Sequence, residues 1–345
     1  MSEHSLTGSV VRRGSFGHPE VRAYPARMTA RPATVAALPA APGVYRFRDA
    51  QGRAVYLGRA TDLRARVGSY WGDLRDRPHL RRMVPQVAGL EAVPCVSVHE
   101  ATWLERNLLE RSRPRWNRIR GGLEVPTWIA LLERSGTAEL RVVHSPADAA
   151  DAPVFGPYLG GGQSRLAAAG IDRVLSLSYA GARRSGFDRD MARVRGVADA
   201  DLTERVGRAR AVLAGVPDAV AWALDALARR RGEAAGACAF EVAQRIQAEL
   251  EALSWVTAPQ RVTTPDATLG PRSAAPGPTT RVHGHADGVL VTFEVRAGRL
   301  DGWRQTLVDA PPRAGEERPV ETAPASLHEL AQQAARLAAR LRDAG

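Results

Sequence analysis

The stretch GVYRFRDAQGRAVYLG, residues 43–58, puts Tyr45 and Tyr56 at reflected positions about a short polar centre. Two phenols held together can bracket one small object. Downstream, Arg66 and Tyr70 share a helical spacing, Glu105 falls among apolar helix positions, and Asn117 lies within a run holding five arginines between 111 and 120. A forked guanidinium suits phosphate oxygens. A carboxylate turned toward a core is costly unless an opposite charge meets it. The guanidinium and the surplus arginines fit a phosphate partner.

The elements that must position these groups follow from the pattern. Asp49 and Gly52 mark a turn between runs rich in Val, Tyr and Phe, which predicts a β-hairpin. With the turn centred on Ala50 and Gln51, Tyr45 is expected directly across from Tyr56, their Cβ atoms about 4.5–5.5 Å apart. An ordinary cross-strand aromatic pair would look the same. In DLRARVGSY, capped by Thr61 or Asp62, Leu63, Arg66, Val67 and Tyr70 fall on one helix face and Arg64 elsewhere. Arg66 then either snorkels or projects into a shared cleft. In EATWLERNLLERSRPRWNRI, Ala101, Leu104, Leu108 and Leu109 form one arc with Glu105 at its middle, and Arg106 and Glu110 lie opposite. The partner Glu105 needs is an arginine or a divalent metal.

Composition narrows the classes. The chain has 345 residues, 44% hydrophobic and 25% charged, enough for two or three small domains with cores of their own. Its formal net charge is +11 and all 48 basic residues are arginine. Residues 42–120 hold 16 Arg against 8 Asp plus Glu, so the surplus is concentrated there and points to a polyanion. No run of about 18 apolar residues and no secretory leader is visible, so no membrane partner and a cytoplasmic location are expected. Cys95 and Cys238 are too few for a disulfide framework or a cysteine-ligated cluster.

Along the chain, residues 1–36 read as a flexible basic tail and 37–122 as a first compact unit. Residues 123–199 read as a mixed α/β region, opening with the strands TWIALLE and LRVVHS and then a Gly-rich turn into a helix. A helical region fills 200–257, and 258–282 is Pro-rich and reads as a linker. Residues 283–345 close with a hairpin turning at Ala297-Gly298 and an amphipathic helix over 327–342, with Ser326 and Glu329 as a capping box. His283-Gly284-His285 has no third metal ligand nearby and reads as an exposed loop. Trp71 and Trp116 either stack on bases or pack in the core.

PGVYRF, VYLGRATDLRARVGSY, HEATWLERNLLERSRPRWN and FGPY at 155–158 resemble, in order and spacing, the GIY-YIG nucleases. More narrowly they resemble the N-terminal incision domain of the UvrC family of bacterial nucleotide excision repair, over about residues 42–182. The resemblance implies an α+β fold: a small GIY-YIG domain whose central antiparallel β-sheet is flanked by helices, then a mixed α/β region, a helical UVR-like segment, and a small C-terminal β-hairpin plus helix. It implies site roles for Tyr45, Tyr56, Arg59, Arg66, Tyr70 and Asn117, with one Mg²⁺ or Mn²⁺ held by Glu105. At Arg59 the family commonly has lysine, which leaves that position's role open. Arg64, Arg111, Arg113, Arg115 and Arg118 are the expected DNA contacts. The stretch ACAFEVAQRIQAELEAL resembles the UVR hairpin, so Phe240, Ala243 and Ile246 are expected to meet a UvrB-like protein on damaged double-stranded DNA. The cysteines of many UvrC proteins are missing, so no iron-sulfur cluster is expected. The sequence stops before the ribonuclease H-like and helix-hairpin-helix modules of UvrC, so one incision, by analogy the 3′ one, is expected, as in short Cho-like members. A non-catalytic DNA- or UvrB-binding module is the alternative.

Overall fold

Val, Tyr and Phe on both sides of the Asp49 turn fold as predicted into an antiparallel pair, but in a different register. The computed structural model describes residues 32–117, 122–134, 136–180, 186–197, 202–265, 267, 279–308 and 324–345. After a short helix α1 (Pro32–Ala36), β1 (Gly43–Arg48) pairs with β2 (Ala54–Ala60). Tyr45 lies opposite Gly58, and Phe47 opposite Tyr56, with a bulge between Phe47 and Arg48. The reason is Asp49: its Oδ1 accepts from the backbone of Gln51 and of Arg53, at 3.0 and 2.9 Å, and its Oδ2 accepts from Arg53 Nε. That carboxylate closes a longer loop than a two-residue turn, so the expected pairing of Tyr45 with Tyr56 slips to a diagonal one.

Helices α2 (Leu63–Gly68) and α3 (Pro78–Met83) follow, then β3 (Gly89–Pro94) on the other side of β1, giving the antiparallel order β2-β1-β3. Alternation divides this sheet into two faces. Tyr45, Phe47, Ala60 and Ala92 pack with Leu63, Val67, Tyr70 and Met83, whereas Val44, Leu57 and Val93 pack with α4 (Val98–Arg111). The expected tail ends sooner than residue 36: Thr34 in α1 is fully buried, and residues 1–31 lie outside the described ones.

A second antiparallel sheet of order β5-β4-β6 comprises β4 (Pro126–Arg134), β5 (Thr137–Val143) and β6 (Val154–Leu159). It shares a core with α5 (Gly161–Leu175), α7 (Leu202–Leu213), α8 (Pro217–Gly236) and α9 (Phe240–Val256), while α6 (Gly186–Val194) lies between α5 and α7 in sequence. No single helix among the described residues is long and apolar enough to cross a membrane.

The third sheet, β7 (Thr279–Ala286), β8 (Val289–Arg296) and β9 (Arg299–Leu307), has one strand more than the predicted hairpin. Both of its turns have two residues at positive φ, Asp287-Gly288 at 45° and 74° and Ala297-Gly298 at 46° and 74°. The final helix α10 (Ala325–Asp343) begins at Pro324 with no side-chain cap, so the Ser326–Glu329 capping box does not form. Phe293, Leu300 and Leu330 join Val44, Leu57 and Leu104 in one core, and Leu337 and Leu341 join that of Tyr45. The C-terminal sheet and helix are therefore built into the first unit.

That fusion explains why α4 departs from its helical projection. Its expected polar side is covered too: Arg106 and Asn107 are buried along with Trp103, Leu104 and Leu108. Glu110 accepts from Arg299 at 2.6 Å, and Asn107 Nδ2 donates to Thr263 Oγ1 at 2.9 Å. Glu100, fully buried, takes Arg261 Nε and Nη2 at 2.8 and 2.9 Å. Residues 258–265, read as the start of a linker, are thus packed along α4; residues 266 and 268–278 lie outside the described ones.

His99 joins α4 to the end of α9. Its ring lies 4.4 Å from that of Trp255, its Nδ1 is 3.3 Å from Ala258 O, and Trp103 Nε1 donates to its Nε2 at 3.0 Å. These contacts suit the neutral Nδ1–H tautomer, because protonation would set a second N–H against the indole N–H. Burial pushes the His99 pKa down from 6.5 to about 4. An unfolded chain takes up this proton below pH 6.5 and the folded one only near 4, so stability falls as pH drops through that window, by ~3 kcal/mol in all. Thermal melting from pH 7 to pH 4 should show the loss, and His99→Phe should remove that part of the slope. An unchanged slope in the variant would assign the effect elsewhere.

Candidate active site

Three phenols meet on the α2 face of the first sheet. Tyr45 and Tyr70 are buried with their hydroxyls 2.6 Å apart, one donating to the other. The half-buried Tyr56 ring lies 6.1 Å from that of Tyr45 and 6.0 Å from that of Tyr70. Phe47 braces the group edge-on, 5.1 Å from Tyr70. Gly58 makes room for it, since a Cβ there would stand 2.7 Å from Tyr45 Oη and 2.9 Å from Tyr56 Cε1. Burial and then Tyr56 push Tyr45 well above the ordinary tyrosine range, against the lowering effect of the Tyr70 hydroxyl and Arg66, and burial and then Tyr45 and Tyr56 do the same to Tyr70. Both are neutral at physiological pH.

Asp62 caps α2 by accepting from Ala65 N at 2.9 Å, and Leu63 and Val67 turn inward. Arg66 does not share that buried stripe. The helix stops at Gly68, Tyr70 swings under it, and Arg66 stays exposed with Cζ 5.4 Å from the Tyr70 ring centre. Its guanidinium still interacts with the Tyr45 hydroxyl. Arg64 points away, donating from Nε to Leu38 O at 2.8 Å.

Glu105 approaches from α4 on the opposite face of the sheet, next to the β2 edge. Its side chain is 21% exposed, neither in the core nor in bulk solvent, and sits 3.4 Å from Arg59 Nη1. The expected central place in an apolar arc is corrected to a half-buried rim, because the core takes Trp103 and Leu104 instead. Burial raises the Glu105 pKa; Arg59 and Arg66 oppose this and the charge of Glu124 adds to it. Among the described residues no three His, Cys, Asp or Glu side chains are grouped to cage a metal ion. One half-buried carboxylate instead suits a Mg²⁺-like cation that keeps most of its waters.

Asn117 is held against β2 at Leu57, between Tyr56 and Gly58 in sequence. Its Oδ1 accepts from Leu57 N at 3.0 Å and its Nδ2 donates to Leu57 O at 2.7 Å, while Trp116 N donates to Val55 O at 2.9 Å. The segment therefore satisfies the free edge of β2 as another strand would, with one donor and one acceptor of the Asn117 amide engaged on Leu57. Asn117→Asp keeps the acceptor but sets a carboxylate against Leu57 O. It should cost about 1–3 kcal/mol in denaturant unfolding, and a cost below a few tenths would show that the clip is dispensable.

The other predicted site residues divide. Arg113 and Arg115 are exposed. Arg111 is paired with Asp301 at 3.1 Å, and Arg118 lies outside the described residues. Trp71 and Trp116 pack at the rim of the tyrosine core, Trp71 5.7 Å from Phe47. Phe240 is exposed at the start of α9, Ala243 is half-buried, and Ile246 is buried in the second core and closed to any partner. His283 is held by Thr292 Oγ1 at 2.9 Å within β7, not in a loop.

Sequence reasoning missed Glu91. It is fully buried in β3 and accepts from Arg46 Nε and Arg48 Nε, each at 2.6 Å, from the strand that carries Tyr45. The signal was there: a lone acid within Leu90-Glu91-Ala92-Val93, across from a strand with arginine at alternate positions.

Parts of the chain are similar to known proteins. Residues 41–118 match the family model described as the UvrC-like GIY-YIG domain. UvrABC system protein C of Mycobacterium leprae strain Br4923 is 31% identical over 311 residues, covering 85% of this chain and 46% of that protein. The same protein from Nitrosomonas europaea is 46% identical over 85 residues, covering 25% of this chain and 14% of that protein. A solved structure of the GIY-YIG N-terminal endonuclease domain of UvrC from Thermotoga maritima, described as bound to its catalytic divalent cation, magnesium, is 31% identical. It covers 24% of this chain and 91% of that one, with a TM-score of 0.23. The chain spans less than half the length of the UvrABC system C proteins it matches. Residues 41–118 are a UvrC-like GIY-YIG domain.

Proposed function

We propose that the chain is a metal-dependent endonuclease that nicks damaged duplex DNA, on the 3′ side of a lesion, together with a UvrB-like protein. The observation that carries this reading is the buried Tyr45–Tyr70 hydroxyl pair with Arg66 against it, the same arginine whose charge acts on Glu105. Glu105 would hold the cation, Mg²⁺ or Mn²⁺, which when bound neutralises charge on the scissile phosphate and the leaving oxygen. Tyr45 is a neutral phenol, so it orients the attacking water by hydrogen bonding, with Tyr70 fixing its direction. Exposed Arg66 donates to the phosphoryl oxygens as charge builds on them, and Tyr56 walls the cleft. Arg59 fits a second phosphate contact. A non-catalytic module would also keep the Arg59–Glu105 pair, but at 3.4 Å with Arg59 47% exposed the arginine is free to swing away. The 3′ side rests on resemblance to the N-terminal incision domain. The partner rests on the UVR-like sequence and on exposed Phe240 and Val242 at the start of α9.

The test is incision of an end-labelled duplex carrying one bulky adduct, in Mg²⁺, with and without UvrB. A nick 3′ of the adduct that requires both the metal and UvrB is expected. A nick on the 5′ side overturns the side, nicking indifferent to UvrB overturns the partner, and intact DNA under every condition overturns catalysis.

A further inference from the structure

Beside Glu105 lies an apolar feature that none of the proposed chemistry uses. Leu123 and Val125 are each 63% exposed, an unusual display for large aliphatic side chains. They belong to a segment anchored against α4. Gly122, at φ 79°, is buried so closely on the helix that a Cβ there would stand 2.6 Å from Glu110 N. Arg106 Nε donates to Glu124 O at 3.2 Å, and the charge of Glu124 reaches Glu105. Val125 precedes Pro126, which favours an extended backbone, and the two aliphatic residues are separated by one position just before β4. The fold thus presents two aliphatic side chains at the lip of the candidate site, on a base that is well tied down.

We propose that Leu123 and Val125 form a wedge that enters a base step next to the scissile phosphate and unstacks it as the backbone seats against Arg66 and Glu105. The inference rests on the endonuclease reading. Aliphatic side chains inserted between base pairs partly unstack and kink a duplex, and this gives a cleft better access to one strand. The surroundings favour DNA as occupant. Exposed Arg59, paired with Glu105, and exposed Arg66, whose charge acts on Glu105, put positive charge beside this lip, which suits a polyanion. Two side chains are enough for a wedge, whereas a stable protein partner needs roughly 800 Å² on each side.

The experiment uses the full chain, in EDTA so that the strands stay intact, and a short duplex with 2-aminopurine at every adenine position. Binding is followed by anisotropy and unstacking by 2-aminopurine fluorescence. The natural chain should raise the fluorescence severalfold on binding. A Leu123→Ser/Val125→Ser variant should bind at the same salt within a factor of about two, because phosphate contacts dominate affinity, yet leave the fluorescence near that of free duplex. Both positions are exposed, so an unchanged melting temperature is expected of the variant. Binding of the natural chain without a fluorescence rise, or the same rise with the variant, overturns the wedge and leaves the endonuclease reading intact. Failure of the natural chain to bind this duplex overturns the wedge alone, because the endonuclease reading calls for a lesion, a metal ion and UvrB, none of which this assay contains.

Discussion

Glu105→Gln should lower metal-dependent nicking by ~10³-fold or more while leaving the melting temperature unchanged or raising it. The two halves have separate causes. Loss of a carboxylate that holds a catalytic cation removes several kcal/mol of charge stabilisation from the transition state, and each 1.4 kcal/mol is about tenfold in rate. Stability moves the other way because burial raises the Glu105 pKa, so its ionised form is the one the fold disfavours. A neutral isostere relieves that. The same shift sets the pH dependence. Cation binding needs the ionised carboxylate and competes with its proton, so at sub-saturating Mg²⁺ nicking should fall as pH drops toward the raised carboxyl, and more Mg²⁺ should move that fall to lower pH. Single-turnover rates against pH, with melting curves on the same preparations, test both halves. A variant as active as the natural chain would remove Glu105 from the mechanism. A variant that is inactive because it is unfolded would show the residue to be structural.

The largest effect on stability is expected at Glu91. Its carboxylate is fully buried between Arg46 and Arg48, and the Arg46 guanidinium also stacks 4.1 Å from the Trp303 ring and donates to Trp303 O at 3.1 Å. Glu91→Ala leaves two largely buried guanidinium groups without their counter-charge. Removal of one partner from such a group costs about 3–5 kcal/mol, whereas exchange of the whole set for apolar residues is often neutral. Urea unfolding should show a lower midpoint at unchanged slope for Glu91→Ala, and a Glu91→Leu/Arg46→Met/Arg48→Met variant should recover most of the loss. A Glu91→Ala midpoint close to the natural one would mean that water reaches these arginines and that the network contributes little.

The residue types of the candidate site were legible because they serve local rules. Asp62 caps α2 as the sequence proposes, and the Ala297-Gly298 turn forms where the pattern puts it. What escaped was anything set by distant contacts. The tyrosine register depends on one carboxylate inside the turn, which a count of strand positions does not capture. The arc containing Glu105 was drawn for a helix with one buried face, but β9 and residues 258–265 bury a second, so Arg106 and Asn107 went inside and Glu105 stayed at the rim. Asn117 is a polar residue in a basic run, and only the exposed edge of β2 shows why its amide is held on Leu57. Ile246 and Phe240 belong to one helical stripe in sequence. Packing against the second core takes the first and leaves the second outside.

Arg46 and Trp303 are 257 residues apart in the chain. At translation rates of about 5–20 residues per second, β1 leaves the ribosome roughly 10–50 s before the strand that closes over it. During that interval Val44, Leu57 and Val93 have no lid from the C-terminal sheet. The nascent first unit is then a half-finished surface of the kind that invites association until its late-made cover arrives.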